Sequence, residues 1–234
     1  MKAVIMQPSY LSWLGFFDLM DQSDIFVFLD HIQYTKRSWQ QRNKIKTPQG
    51  ELWLTIPIKS KGKYEQKISE TLINDSNNWK DKHLQSIKMN YAKSKFFDKY
   101  FNEIEKVYKK NTEKLTDITI PLILIIKDIL GIKSKIIFSS NLNPQGNKSK
   151  LLYDICKKIS ADEYLSPIGS KNYIDEDDQF TPNNIKLKYQ NFEHPIYNQL
   201  WGNFISHLSI IDLIFNEGEK SLDIIRSGRK EHKN

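Results

Sequence analysis

Apolar residues along the chain fall in short runs separated by polar stretches, and the length and period of each run sort it into strand or helix. Residues 2–6 read as a short buried strand, followed by the polar turn Gln7-Pro8-Ser9-Tyr10. Residues 15–22 predict a short helix with Phe16, Leu19 and Met20 on one side. Ile25-Phe26-Val27-Phe28-Leu29 is a continuous apolar run of strand length that ends at Asp30-His31. Runs of this kind are typical of parallel strands covered on both faces by helices. Strand, helix and strand in this order make a βαβ unit, whose crossover is right-handed by default.

Residues 52–58 predict a further strand, with Pro57 marking an edge or an end, and residues 59–67 a basic, Gly-containing loop. From 78 to 110 the period becomes helical: Leu84, Ile87 and Tyr91, then Phe97, Phe101, Ile104 and Tyr108, share one face of a long helix. Residues 113–130 predict a second helix, closed by Gly131 as a C-terminal cap. The remaining pattern gives a strand at 136–140, a helix at 148–160, strands at 163–166 and 185–189, and closing helices at 207–215 and 221–225 around Gly218. The alternation predicts an α/β, Rossmann-like fold with a mostly parallel sheet. A single domain over 1–234 is expected, with 78–131 as an inserted or appended helical region.

Composition narrows the class. With 234 residues, 39% of them apolar, the chain can bury one sizeable core. The 12 Phe, 11 Tyr and 5 Trp argue against disorder. The single cysteine, Cys156, excludes an intramolecular disulfide and fits a reducing compartment. The first residues lack the apolar run of a secretory signal. The longest apolar stretch, 118–130, is interrupted by Pro121, Lys127 and Asp128 and is too short to span a bilayer. A cytoplasmic location is therefore expected. The formal net charge of +7 fits an anionic partner, or only a lysine-rich surface, so its distribution matters more than its total.

In open α/β sheets, ligands bind beyond the carboxyl ends of the strands. There the first strand delivers Gln7 and Tyr10, and the second delivers Tyr34, Lys36, Arg37, Trp39, Arg42, Lys44 and Lys46. Guanidinium groups take phosphate in a two-pronged way, and interleaved aromatics stack on a base or sugar. The bland alternative is a solvated basic loop with Trp39 as a core anchor. Gly169-Ser170, after the strand at 163–166, can offer backbone N–H groups to an anion, although such pairs are common in plain turns. His194, stiffened by Pro195 and followed by Tyr197 and Gln199, has the position of a general base, or of a structural histidine. Histidines at 31, 83, 194, 207 and 232 show no ligand spacing, so no metal site is expected. His83 and Cys156 read as packing residues.

Met6-Gln7-Pro8-Ser9-Tyr10-Leu11, Trp13-Leu14-Gly15 with Phe17-Asp18, and the run from Gln33 through Arg42-Asn43 carry a resemblance of the N-terminal third to the WbqC-like protein family. It continues in Lys46-Thr47-Pro48-Gln49-Gly50 and Leu54-Thr55-Ile56-Pro57. It returns in His83-Leu84, Gly169-Ser170, His194-Pro195, Leu208-Ser209 and Asp212 to Asn216. His31 stands where an acidic or amide residue is expected. The resemblance implies a place in bacterial surface-polysaccharide (O-antigen) gene clusters.

The order of elements is also similar to nucleotidyltransferase-type folds, including adenylate-forming amide ligases. Those carry a His-x-Gly-His-like pair in the first loop, whereas residues 9–17 here hold no histidine.

The expected function is a transferase acting on a nucleotide-linked amino sugar, by N-acyl or aminoacyl transfer. Lys36, Arg37 and Arg42 would hold the pyrophosphate and His194 would act as base. The alternatives are a non-catalytic sugar-nucleotide-binding or scaffold protein, and a nucleotidyltransferase or adenylate-forming ligase, the case in which ATP is the cofactor. The expected partner is a nucleotide-linked sugar or another anionic small molecule. Nucleic acid ranks last, because no recognition motif is present.

Overall fold

The structure is a computed structural model and describes residues 1–75 and 77–230; His232 lies outside the described residues. Five strands form one parallel sheet: β1 (Lys2–Met6), β2 (Ile25–Phe28), β5 (Lys135–Phe138), β6 (Glu163–Ser166) and β7 (Lys186–Tyr189). Their spatial order is β5-β2-β1-β6-β7, and every pairing is parallel. The chain therefore runs outward from β1 through β2 to β5, then crosses to the other side of β1 for β6 and β7. This is the doubly wound, Rossmann-like order, and its reversal leaves a crevice between the carboxyl ends of β1 and β6.

Alternation along β1 and β2 gives the sheet two buried faces. Val4, Phe26 and Phe28 pack toward α1 (Leu14–Gln22) and the helices α2 (Trp79–Tyr91), α3 (Phe97–Lys109) and α4 (Thr116–Leu130). Ala3, Ile5, Ile25 and Val27 pack toward Leu152 and Ile155 of α5 (Lys148–Lys158) and Ile174 of α6 (Lys171–Asp175). Burying each large apolar side chain contributes about 1.5–3 kcal/mol, so this two-sided burial fixes the strand register. No helix among the described residues is long and apolar enough to cross a membrane.

Three expectations need correction. First, the basic segment after β2 is not a loop throughout. From Arg42 it becomes β3 (Arg42–Thr47), paired antiparallel with β4 (Gly50–Thr55) in a hairpin outside the main sheet. The strand expected at 52–58 is that second arm, and Pro57 lies past its end. Second, the helical pattern at 78–110 is two helices, α2 and α3. The break is held by Ser94 N–H donating to Tyr91 O and Phe96 N–H donating to Phe215 O. Third, the helix expected from 207 begins at Ile210 (α7, Ile210–Glu217), where Ser209 Oγ accepts the Ile211 N–H. α8 (Ser221–Ser227) follows. Gly131 does end α4 in the left-handed region, at φ 72°.

The C-terminal segment is clamped back onto α1. The buried Asp18 carboxylate accepts hydrogen bonds from Arg229 Nε (2.6 Å) and Gln190 Nε2 (2.7 Å). Gln190 also donates to Gly15 O at 2.9 Å, which ties the end of β7 to the start of α1.

Candidate functional site

A cavity of about 490 Å³ opens at the crevice between β1 and β6, within the size range of small-molecule sites. Met6 and Gln7 enter its wall from β1, Pro167 and Ser170 from the turn after β6, and Tyr173 from α6. Trp13, at the N-terminal cap of α1, and His207, just before α7, close one side; Ser38, Trp39 and Gln40 form another. A larger groove of about 670 Å³ lies between α2 and α3, but no strand residue contributes to it. Its lining mixes lysines with Asp75, Asp81 and Glu105, as expected of a solvated helix surface.

The Ser38–Gln40 wall belongs to a tightly held loop. Tyr10 N–H donates to Trp39 O (2.9 Å), Ser38 Oγ to Thr35 O (2.7 Å) and Gln40 Nε2 to Gln7 Oε1 (2.6 Å). Arg37 adopts a left-handed backbone at φ 55°, and its N–H donates to Gln41 Oε1.

The opposite side is aromatic. Trp13 stacks on His207, with ring centroids 5.2 Å apart, and His207 lies 4.9 Å from His194. Gly15 makes this possible, because a Cβ there would sit 2.3 Å from the Trp13 indole. His194 Nδ1–H donates to Pro195 O at 2.9 Å, which leaves Nε2 as the bare lone pair, buried and without a hydrogen-bond partner. Burial, with a smaller contribution from His207, pushes the His194 imidazole below its ordinary value and favours the neutral ring.

A buried network braces this side. Tyr91 and Tyr197 each donate a hydroxyl to Asp212, at 2.8 and 2.9 Å, and Lys46 donates its ammonium to Gln199 Oε1 (3.0 Å) and Asn203 O (2.6 Å). Burial raises the Asp212 carboxyl to about 6 and lowers the Lys46 ammonium from its usual range. The network links the hairpin to α2, α7 and the segment carrying His194.

Of the residues expected at the site, Gln7 and Ser170 lie on the cavity wall, with Gly169 exposed in the same turn. Tyr10 is buried behind it, bonded to His83 Nδ1 (2.8 Å) and to the Tyr108 hydroxyl. Tyr34 is buried too and donates to Gln41, with burial pushing its hydroxyl up to about 12. Tyr197 and Gln199 serve the network just described. Lys36 is exposed over the Tyr64 ring, Arg37 is exposed, and Arg42 lies 4.5 Å over the Trp53 ring. His194 stands one layer behind His207. Trp13, Gln40, Tyr173 and His207 were not anticipated. A lone histidine in a polar loop carries no spacing signal, and Trp13 is indistinguishable from a core residue in the sequence. His31 instead bonds Ser139 Oγ at 2.6 Å beside Asp30 and helps tie the end of β2 to that of β5.

The description "WbqC-like protein family" matches residues 7–224, nearly the whole chain and every wall of the cavity except Met6 and the strand residue before it. The chain belongs to the WbqC-like protein family. A relative within the curated proteins, "Uncharacterized protein Rv1507c" of Mycobacterium tuberculosis (strain ATCC 25618 / H37Rv), is 34% identical over 231 residues, covering 98% of this chain and 99% of the relative. Since both chains are covered almost end to end, the likeness includes the strands, the hairpin and the segment around His194 and His207. No solved structure matches the chain.

Proposed function

We propose that the chain is a transferase acting on a nucleotide-linked amino sugar held in the switch-point cavity, within bacterial surface-polysaccharide (O-antigen) biosynthesis. The pathway rests on the family resemblance. The chemistry rests on one observation: Gln7, Ser170 and His207, from three distant parts of the chain, meet on the wall of one cavity at the strand ends. Amide and hydroxyl groups of Gln7, Ser38 and Ser170 suit the hydroxyls of a sugar, and Lys36 and Arg37, exposed beside Ser38, supply charge for a diphosphate. In this scheme His207 takes a proton from the sugar amine as its nitrogen forms a bond to the donor's acyl carbon. The bond from that carbon to the leaving group breaks, and His207 returns the proton to the leaving group.

The test is incubation with nucleotide-linked amino sugars and acyl or aminoacyl donors, reading the product by mass. His207→Ala should lower turnover about 100-fold or more, with a smaller loss for His194→Ala. Full turnover by His207→Ala removes its role, and ligand binding without turnover by the wild type supports a sugar-nucleotide-binding or scaffold protein instead.

One observation favours a second reading, nucleotidyl transfer. His207 and His194 stack against Trp13 at the start of α1, and in this reading they would stand in for the imidazoles missing from residues 9–17. Pyrophosphate release from ATP or another nucleoside triphosphate would separate the two.

A further inference from the structure

The loop before β3 and the β4 arm of the hairpin each carry a large aromatic ring that the core does not use. Trp39 is 52% exposed and Trp53 is 42% exposed, with centroids 5.5 Å apart and planes inclined by 31°. Exposed indole is costly in water, and side-by-side exposed tryptophans mark a surface that something covers. The pair is continuous with the cavity, because Trp39 is also part of its wall. It is rigid as well: the backbone of Trp39 is bonded to Tyr10, and the neighbouring Gln40 to Gln7. Behind it, the Arg42 guanidinium lies 4.5 Å over Trp53, a cation-π arrangement that holds this ring and adds positive charge, while the Lys44 ammonium, 5.7 Å from the same ring, is paired with Glu51 at 2.6 Å.

A mainly apolar cavity with Gln7, Ser38, Gln40 and Ser170 placed on its wall, an aromatic shelf at its mouth and flanking cations together match a ligand with a hydroxyl-bearing ring, a planar base and negative charge. We infer that Trp39, backed by Trp53, is the shelf on which the nucleobase of the nucleotide-linked sugar stacks while the sugar enters the cavity. This rests on the transferase reading above and goes further, by naming where the base lies and how it is read. Stacking uses the π-face that every base has, so the shelf accepts different bases with little discrimination.

The experiment measures Kd for ADP, GDP, CDP, UDP and a hexosamine 1-phosphate, with wild type, Trp39→Ala and Trp39→Phe. Trp39→Ala should weaken all four nucleoside diphosphates by about tenfold or more and weaken the hexosamine 1-phosphate clearly less. Trp39→Phe should recover most of the lost affinity. Because the side chain is exposed, unchanged melting of both variants will show that the fold is intact. Equal nucleoside diphosphate affinity in Trp39→Ala and wild type overturns the inference and leaves the cavity reading standing, as does wild type that binds only the hexosamine 1-phosphate. Wild type that binds neither probe overturns both. A Trp39→Ala chain that changes oligomeric state but not nucleotide affinity overturns the inference in favour of a protein interface.

Discussion

Gln40 donates from its side-chain amide to Gln7 Oε1 at 2.6 Å, while its own Oε1 accepts the Thr35 N–H at 3.0 Å. One buried amide thus joins the turn after β1 to both ends of the loop that carries Trp39. Gln40→Met keeps the volume and removes both bonds. Losing them should cost about 1–2 kcal/mol in urea unfolding. It should also greatly reduce the thermal stabilisation that nucleotide ligands give the wild type. A variant that keeps the full ligand shift would show that the wall stands without this bond.

Gly15→Ala tests the aromatic side. The new methyl would collide with the Trp13 indole, which must leave its place over His207. Overpacking of this kind costs about 1–3 kcal/mol. In an NMR titration the His207 and His194 ring signals should move while those of His83, far along the chain in α2, stay put. Unchanged His207 signals would mean that the stack does not depend on the glycine.

His83 and Asp212 should pull stability in opposite directions with pH. Burial pushes the His83 imidazole down to about 4. Between that value and the unfolded value of about 6.5, the unfolded chain binds the extra proton, so stability is lost as pH falls. Burial raises Asp212 to about 6, so from there down to about 3.9 the native chain binds the extra proton, and stability is lost as pH rises. Each effect is on the order of 3 kcal/mol and they nearly offset. His83→Gln should therefore gain stability on acidification from pH 6.5 to 4.5, and Asp212→Asn should lose it, relative to wild type. Melting curves across that range check both, and parallel curves for all three chains would refute the assignment.

The parallel sheet was legible because Val4, Ile5, Phe26 and Val27 are buried on both faces and leave an uninterrupted apolar record. The first arm of the hairpin was not. In Arg42–Thr47 only Ile45 is apolar, and Asn43 and Lys46 are buried because partners from elsewhere satisfy them: Leu11 O for Asn43, Asn203 O for Lys46. Pattern reading takes such residues for a solvated loop. The α2–α3 break escaped for a similar reason, since the bond from Phe96 to Phe215 is tertiary. At the site, Gln7 and Ser170 could be expected from their place after parallel strands, whereas His207 comes from a segment that follows no sheet strand directly.

The Trp13–His207 stack joins two residues far apart in the chain, so that translation reaches His207 long after Trp13. β1, α1 and β2 can assemble on a growing chain, yet the pocket stays unroofed until His207 has been made. Closing so long a loop is entropically slow and comes late in folding. Chains that stop short of His207 are therefore expected to be ligand-blind, which confines binding to molecules made past that point.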